Sequence, residues 1–235
     1  MSRDCVVIIP TLNECENLTE LISGIHQYAP TADILLVDDG STDGTAEHGR
    51  SLGAQVLERG RRLGIGSAYK DGFRWAVERH YQSVITMDGD LSHEPKYLPS
   101  LLGHADIADH VIGSRYLHGV SVVNWSLYRL TLSVAGNAYV RTVTGLPVHD
   151  CTSGFQWIRT EVLERMGIDR LQMGGYAFLV ELKHRTWCAG ARLHEVPIIF
   201  VERRSGSSKN SITTAFHSLI AAWRLRFTGG PRPRH

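Results

Sequence analysis

Long apolar runs are missing from this chain: nothing in it approaches the roughly 20 consecutive apolar residues that a membrane-spanning helix needs. Cysteines are few. Cys5, Cys15, Cys151 and Cys188 show no CxxC spacing, which argues against a disulfide framework or a zinc site and for reduced thiols inside a cell. Twelve histidines occur without an HExxH pair, so surface and loop positions are expected for most of them rather than metal ligation. An excess of one charge is also lacking. The 25 basic residues face 24 acidic ones, and no global field points to nucleic acid. Gly64-Ile65-Gly66 lacks the third glycine of a dinucleotide fingerprint and does not follow the first strand, which disfavours an NAD-dependent oxidoreductase. Met1-Ser2-Arg3-Asp4-Cys5 runs at once into an apolar stretch and leaves no room for a signal peptide. A cytoplasmic protein, free or peripheral to a membrane, is therefore expected.

What is present alternates between two periodicities. Val6-Val7-Ile8-Ile9, Ile34-Leu35-Leu36-Val37 and Ser83-Val84-Ile85-Thr86-Met87 are short apolar runs bounded by Gly, Asp, Ser or Pro, and read as buried strands. Between them, Leu18, Leu21, Ile22 and Ile25 fall on one helical face, and further helices are expected over 42–52 and 64–79. The second half reads less regularly. It has a strand near 109–116 and a helix over about 126–144 with Leu127, Leu130, Val134, Ala138 and Val143 as its apolar positions. Helical segments follow near 160–166 and 176–189, then one final strand over 193–201. Strand–helix alternation argues for a doubly wound, largely parallel sheet flanked by helices, and 235 residues with 43% hydrophobic content fit a single domain.

Two acidic loops stand out within this pattern. Asp38-Asp39-Gly40-Ser41-Thr42-Asp43 and Asp88-Gly89-Asp90-Leu91-Ser92-His93 each follow a predicted strand, at the carboxyl end where open α/β sheets bind their ligands. Carboxylates one residue apart on a turn pack poorly and suit a hard divalent cation, which can bridge nucleotide phosphates. A helix cap is the structural role expected of Asp43.

The ordered series Val7-Ile8-Ile9-Pro10-Thr11-Leu12-Asn13-Glu14, Val37-Asp38-Asp39-Gly40-Ser41, Asp88-Gly89-Asp90, Gly113-Ser114-Arg115-Tyr116, Thr152-Ser153-Gly154-Phe155, Gly175-Tyr176-Ala177-Phe178, Phe200-Val201-Glu202-Arg203 and Ser208-Lys209 resembles inverting family 2 glycosyltransferases. Within them it is similar to the polyprenol-phosphate (dolichol-phosphate) mannosyltransferases. The resemblance implies a GT-A type, Rossmann-like fold over 1–211, followed by an amphipathic helix and basic tail over 212–235. It implies a nucleotide-sugar site of Pro10, Leu12, Glu14, Val37, Asp38, Asp39, Asp88, Gly89, Asp90, Arg115, Arg203 and Lys209. Asp88, Asp90 and Ser92 would hold Mg²⁺ or Mn²⁺; Arg115, Arg129, Ser133 and Arg203 would take the acceptor phosphate; Asp90, Arg115 and Arg203 would be catalytic. The implied partners are GDP-mannose and a polyprenyl or dolichyl phosphate, with peripheral contact to the cytoplasmic face of a membrane and room for a membrane-protein partner.

The chemistry constrains this further. A hydroxyl acceptor needs a general base, whereas a phosphate monoester, with a second pKa of about 6, is largely ionised at neutral pH. Glu181 is the only acid between 173 and 182, where hydroxyl-glycosylating relatives place an adjacent acidic pair, and this favours a phosphate acceptor. Gln156-Trp157 stands where relatives often carry Arg, and Asn210 where many carry Met. The stripe Ile212, Phe216, Leu219, Ile220, Trp223 and Phe227, with Arg224, Arg226, Arg232 and Arg234, has helical spacing suited either to core packing or to an interfacial helix near anionic lipid. Two other readings stay open: the same reaction with UDP-glucose or another nucleotide sugar, and a non-catalytic subunit that binds nucleotide sugar or lipid phosphate.

Overall fold

The computed structural model describes residues 3–201 and 221–227. A seven-stranded sheet of order β3-β2-β1-β4-β7-β5-β8 forms its centre. The first four strands in that order, β3 (Gln55–Glu58), β2 (Asp33–Asp38), β1 (Arg3–Thr11) and β4 (Tyr81–Thr86), run parallel. β7 (Gln156–Arg159) is antiparallel to both its neighbours, β4 and β5 (His110–Ser114), and β5 is parallel to the edge strand β8 (Leu193–Pro197). β1 continues through Pro10, which sits at the strand's end opposite Val37.

Alternation along the strands builds two cores. Val7, Ile9, Leu36 and Ile85 face α1 (Cys15–Tyr28), whose Leu18, Leu21, Ile22 and Ile25 are all buried, as their spacing predicts. Val6, Ile8, Leu35 and Val84 face the other way, onto Tyr69 and Phe73 of α3 (Ile65–Glu78) and Phe178 and Leu182 of α7 (Gly175–Cys188). With both faces covered, these strands are apolar at nearly every position. Close approach of α3 depends on Gly72, where a Cβ would lie 2.6 Å from Ile8 Cγ2. α2 (Thr45–Ser51), α4 (Leu98–Leu102) and α6 (Thr160–Met166) complete the flanking layers.

The second half departs from expectation in two places. The final strand divides: β8 ends at Pro197, which has no N–H for the ladder, and Phe200–Val201 (β9) pairs instead with Val122–Val123 (β6) in a small separate sheet. α5 (Leu127–Thr144) has the predicted bounds, but its buried residues are Asn137, Val140, Val143 and Thr144, while Leu127 and Val134 are exposed. A short helix over 221–227, here α8, packs Ala222 and Leu225 against Val140 and Val143. Among the described residues no helix is long and apolar enough to cross a membrane.

Candidate active site

The carboxyl ends of β1, β2 and β4 meet. A Cβ on Gly89 would fall 3.5 Å from Glu14 Cγ and 3.6 Å from the Pro10 carbonyl, so the second acidic loop touches the turn after β1. Pro10, Leu12 and Glu14 are partly exposed there, and Glu14 accepts from Asn17 Nδ2 at 2.7 Å. Val37 is placed differently, fully buried on the α3 side of the sheet. Asp38 is 2% exposed and folds its own turn, accepting from Thr11 Oγ1 at 2.9 Å, Ser41 N at 2.8 Å and Gly40 N at 3.1 Å. Asp39 takes Arg59 through Nε at 2.7 Å and through Nη2, and also accepts from Gly64 N at 2.8 Å and Leu63 N at 3.2 Å. Arg59 continues to Ser67 and Asp71, so this pair fastens the 59–64 loop onto the start of α3. Asp43 does not cap α2 as expected: the N-cap is Gly44, in the left-handed conformation, and Asp43 instead holds the turn before it, accepting from Thr45 N, Thr45 Oγ1 and Cys15 N.

The Asp88–His93 loop is wound tightly. Leu91 adopts φ +62°, a left-handed conformation that a branched apolar residue takes only under constraint, and it turns Ser92 and His93 back under the loop. The Ser92 hydroxyl and amide both donate to Asp90 Oδ1, at 2.5 and 3.1 Å, so Ser92 orients that carboxylate. His93 is buried, stacks on Phe155 at 5.2 Å, and accepts the Asp88 amide N–H on Nδ1 at 3.2 Å. Burial lowers its pKa, against the pull of Asp88 and Asp90. A neutral ring using the Nδ1 lone pair for an amide does not form an ion pair with Asp88, despite the 3.6 Å separation. Tyr69 OH lies 3.4 Å from Asp88 Oδ1, and burial, followed by the charge of Asp88, keeps that phenol protonated. Asp88 and Asp90 remain partly exposed. Their hard oxygen donors suit Mg²⁺ or Mn²⁺ shared with a diphosphate and water; among the described residues no group of three His, Cys, Asp or Glu side chains forms a protein-only metal cage.

A second wall rises beside them. A Cβ on Gly154 would lie 3.6 Å from both Asp88 Oδ1 and His93 Cε1, so the 150–154 turn abuts the acidic loop. Asp150, fully buried, holds Arg115 by two hydrogen bonds of 2.7 Å, and Arg115 Nη2 donates to Thr152 Oγ1 at 2.8 Å. Burial alone would raise the Asp150 pKa; the Arg115 guanidinium outweighs it and holds the carboxyl below its usual range. The turn is anchored from both sides. Glu195 of β8 accepts from Asp150 N at 2.9 Å, and Asn137 of α5 accepts from Cys151 N at 2.8 Å. Phe200 connects the two walls, lying 5.5 Å from His93, 5.7 Å from Trp125 and 5.4 Å from the Arg115 guanidinium. Both Arg115 and Arg129 lie against the Trp125 ring, at 5.6 and 4.2 Å, and Ser133 Oγ meets Tyr116 OH at 2.8 Å. Of the residues expected at the acceptor phosphate, Arg115, Arg129 and Ser133 thus stand together. Arg203, Ser208 and Lys209, like 212–220 and Arg232 and Arg234, lie outside the described residues.

Besides Asp150, two buried charges escaped the sequence reading. Lys183 is fully buried, donates to the Ser153 carbonyl at 2.6 Å, and has its pKa pushed down to about 8 by burial, opposed by Asp150. It supports the 150–154 turn from below. Arg59 is the other, and it ties Asp39 to α3. Neither had a sequence signal beyond being basic, since the partners that define their roles, Asp39 for Arg59 and Ser153 for Lys183, lie 20 and 30 residues away. Glu181 is 1% exposed and accepts from Gln172 N, Met173 N and Arg185 Nε at 2.8–2.9 Å. Its carboxylate braces the loop before α7.

Comparison with known proteins follows the same outline. The sequence profile of glycosyl transferase family 2 matches residues 6–167. An undecaprenyl-phosphate mannosyltransferase of Micrococcus luteus is 42% identical over 211 residues, covering 88% of this chain and 87% of the relative. A polyprenol monophosphomannose synthase of Mycolicibacterium smegmatis is 40% identical over 230 residues, covering 94% and 87%. Among solved structures, glucosyl-3-phosphoglycerate synthase of Mycobacterium tuberculosis in complex with Mn²⁺, UDP-glucose and phosphoglyceric acid superposes with a TM-score of 0.71 at 21% identity, covering 97% of this chain and 81% of that one.

Proposed function

The chain belongs to glycosyl transferase family 2 and is a glycosyltransferase of GT-A-like fold; from that premise we propose that it transfers mannose from GDP-mannose to a polyprenyl monophosphate, with inversion, giving polyprenyl-phosphate β-mannose and GDP. Two relatives at 40% and 42% identity with mannosyltransferase names support the sugar and the acceptor class. The observation that carries the acceptor assignment is the pairing of Arg115 and Arg129 around Trp125, together with the commitment of Glu181 to backbone amides and Arg185. Arginines suit a phosphate, and a phosphate needs no base to take its proton.

In this reading, the turn after β1 and the Asp38–Asp39 loop receive the nucleoside. Asp88 and Asp90 would hold a divalent cation against the donor diphosphate, with Ser92 fixing the Asp90 carboxylate. A cation bound there would act as a Lewis acid toward the departing diphosphate. His93 fixes the start of the acidic loop by accepting the Asp88 amide. Arg115, clamped by Asp150, and Arg129 orient the acceptor so that an ionised phosphate oxygen attacks the anomeric carbon from the face opposite the leaving group. Formation of the new C–O bond releases GDP. Arg203 and Lys209 are assigned by resemblance to the same phosphates, and attachment at the cytoplasmic face of a membrane would give access to the lipid.

The test is transfer of labelled sugar from GDP-mannose to a short polyprenyl phosphate, with Mg²⁺ or Mn²⁺ and with chelator. Cation-dependent appearance of a mild-acid-labile glycolipid is expected. Product from UDP-glucose alone would overturn the donor assignment, and nucleotide binding without transfer from any donor would favour a non-catalytic subunit.

A further inference from the structure

We propose that Lys183 is a positioning residue for the acceptor phosphate, its ammonium offsetting the buried carboxylates that would otherwise cancel the charge of Arg115. The proposal deepens the lipid-phosphate reading and rests on it. Acceptor binding itself can be measured with no sugar transfer.

Arg115 held by Asp150 alone is a poor receiver for an anion. Asp150 grips it through Nε and Nη2 at 2.7 Å each, and both residues are buried. Such a bidentate pair carries no net charge. Glu195 brings a second carboxylate to the same turn, accepting from Asp150 N at 2.9 Å and from His149 N at 2.7 Å, with its side chain only 6% exposed. One guanidinium between two buried carboxylates would leave this wall net negative where a phosphate is to bind.

Lys183 restores the balance. It stands on α7, fully buried, and donates to the Ser153 carbonyl at 2.6 Å and to the Leu179 carbonyl at 3.4 Å. The titratable groups that face it come from three other elements: Asp150 and Cys151 of the turn, Arg115 and His110 at the two ends of β5, and Glu195 of β8. Burial keeps two of these neutral, with the Cys151 thiol pushed up to about 12 and the His110 ring down to about 3. The described groups are then two cations and two carboxylates, neutral together while Lys183 is charged and net negative once it is not. Arg129, against the Trp125 ring, adds a positive charge at the mouth of that neutral cluster.

The turn carries this charge to the site. The Ser153 carbonyl accepts from Lys183, and the next carbonyl, Gly154, accepts from Thr86 Oγ1 at 2.6 Å. A neutral donor would satisfy the Ser153 carbonyl equally well, whereas an ammonium in a low-dielectric interior acts on Asp150 far more strongly than a surface charge would. The same burial brings the Lys183 pKa from 10.5 down to about 8. The lysine therefore sheds its charge just above neutral pH. A phosphate monoester, with a second pKa of about 6, is already ionised there. Lys183, and not the lipid, sets the alkaline limit of acceptor binding.

The experiment is calorimetric titration of the full chain, holding GDP and Mg²⁺, with a short polyprenyl phosphate at a series of pH values from 7 to 9. Only molecules with a charged lysine bind the phosphate well, so wild-type affinity is expected to fall about tenfold over that range, with its midpoint near 8. Lys183→Met should bind about tenfold more weakly at pH 7 and decline no further by pH 9. Lys183→Gln, which keeps an N–H for the Ser153 carbonyl without the charge, should behave in the same way. A lysine that merely bolted the turn would lower affinity in Lys183→Met at every pH and leave the alkaline decline in place. That retained decline, full affinity of Lys183→Gln at pH 7, or a flat wild-type profile would each overturn the proposal. The wild-type profile gives this answer even where neither variant folds: a midpoint near 8 supports the role, and a flat line ends it. Absence of lipid-phosphate binding at every pH would overturn the acceptor reading itself, whereas binding indifferent to pH would remove only Lys183 from it.

Discussion

The parallel strands β1, β2 and β4 and the helix α5 both contribute to one site, by opposite constructions. On the strands, apolar side chains alternate between two dry cores along the middle of each strand, and Asp38, Asp39, Asp88 and Asp90 lie at or just beyond the carboxyl ends. On α5 Ser133 and Asn137 turn toward the fold, joined near the helix end by Val140 and Val143, while Leu127, Tyr128, Leu132 and Val134 face out. Burial pattern reports what an element is packed against. Sheet strands covered by helices need apolar residues on both faces, whereas the inner face of α5 carries Asn137 because it hydrogen-bonds the 150–154 turn.

The contrast can be broken at several points, of diminishing effect. Asp90→Ala should lower turnover by roughly 10²–10³-fold or more while leaving the circular dichroism unchanged, because charge developing on the leaving group loses its stabilisation; full activity in the variant would remove Asp90 from the donor side. Asp150→Ala strands Arg115 and Lys183 in a buried turn, and breaking such a charge cluster costs about 3–5 kcal/mol. Urea denaturation should show this loss, and a cost no greater than a surface substitution would mean that the turn is not held as described. Acidification tests the buried histidines of the sheet side. His110, bonded to Thr186 and Gln156, has its pKa pushed down to about 3 by burial and by Lys183, and His93 is lowered as well. The unfolded chain takes up these protons near pH 6.5 and the folded chain does not, so stability present above that pH is lost as pH falls from about 6.5 toward 3. His110 alone gives about 2 kcal/mol lost at pH 5, read as a lower urea midpoint; a flat profile from pH 7 to 5 would show that the folded protein charges these rings freely. The smallest effect belongs to α5. Arg129→Ala should raise KM for the lipid phosphate about tenfold with the donor KM unchanged, and equal weakening of GDP binding would put this residue on the other wall.

The same contrast explains what the sequence made legible. Strands and helices through residue 87 were readable because both faces of each strand are dry and each flanking helix buries a regular stripe, whereas the short α4 was not read. Asp88 and Asp90 were readable because two carboxylates on a strand-ending turn have no packing purpose. β7 was not readable as antiparallel, since four residues with both faces covered carry no signal of direction, and the split of the last strand hinged on Pro197. The outward-facing α5 defeated the rule that apolar means inside. Arg59, Asp150 and Lys183 were invisible as a class, because their roles come from partners distant in sequence.

The antiparallel β7 also has a consequence for the order of events on the ribosome. It is hydrogen-bonded between β4, which precedes it by some seventy residues, and β5, and it delivers the 150–154 turn to Asp88. The emerging chain can therefore pair its first four strands early, from contacts that are mostly near neighbours, yet it cannot join β5 to them until residue 159 has been synthesised and inserted between two strands already made. Until that insertion, the cleft between β4 and β5 is an open pair of strand edges. Nascent protein is thus most exposed to mispairing in the interval between translating β5 and translating β7, and the gap beside the acidic loop closes with only the edge strand β8 still to be added.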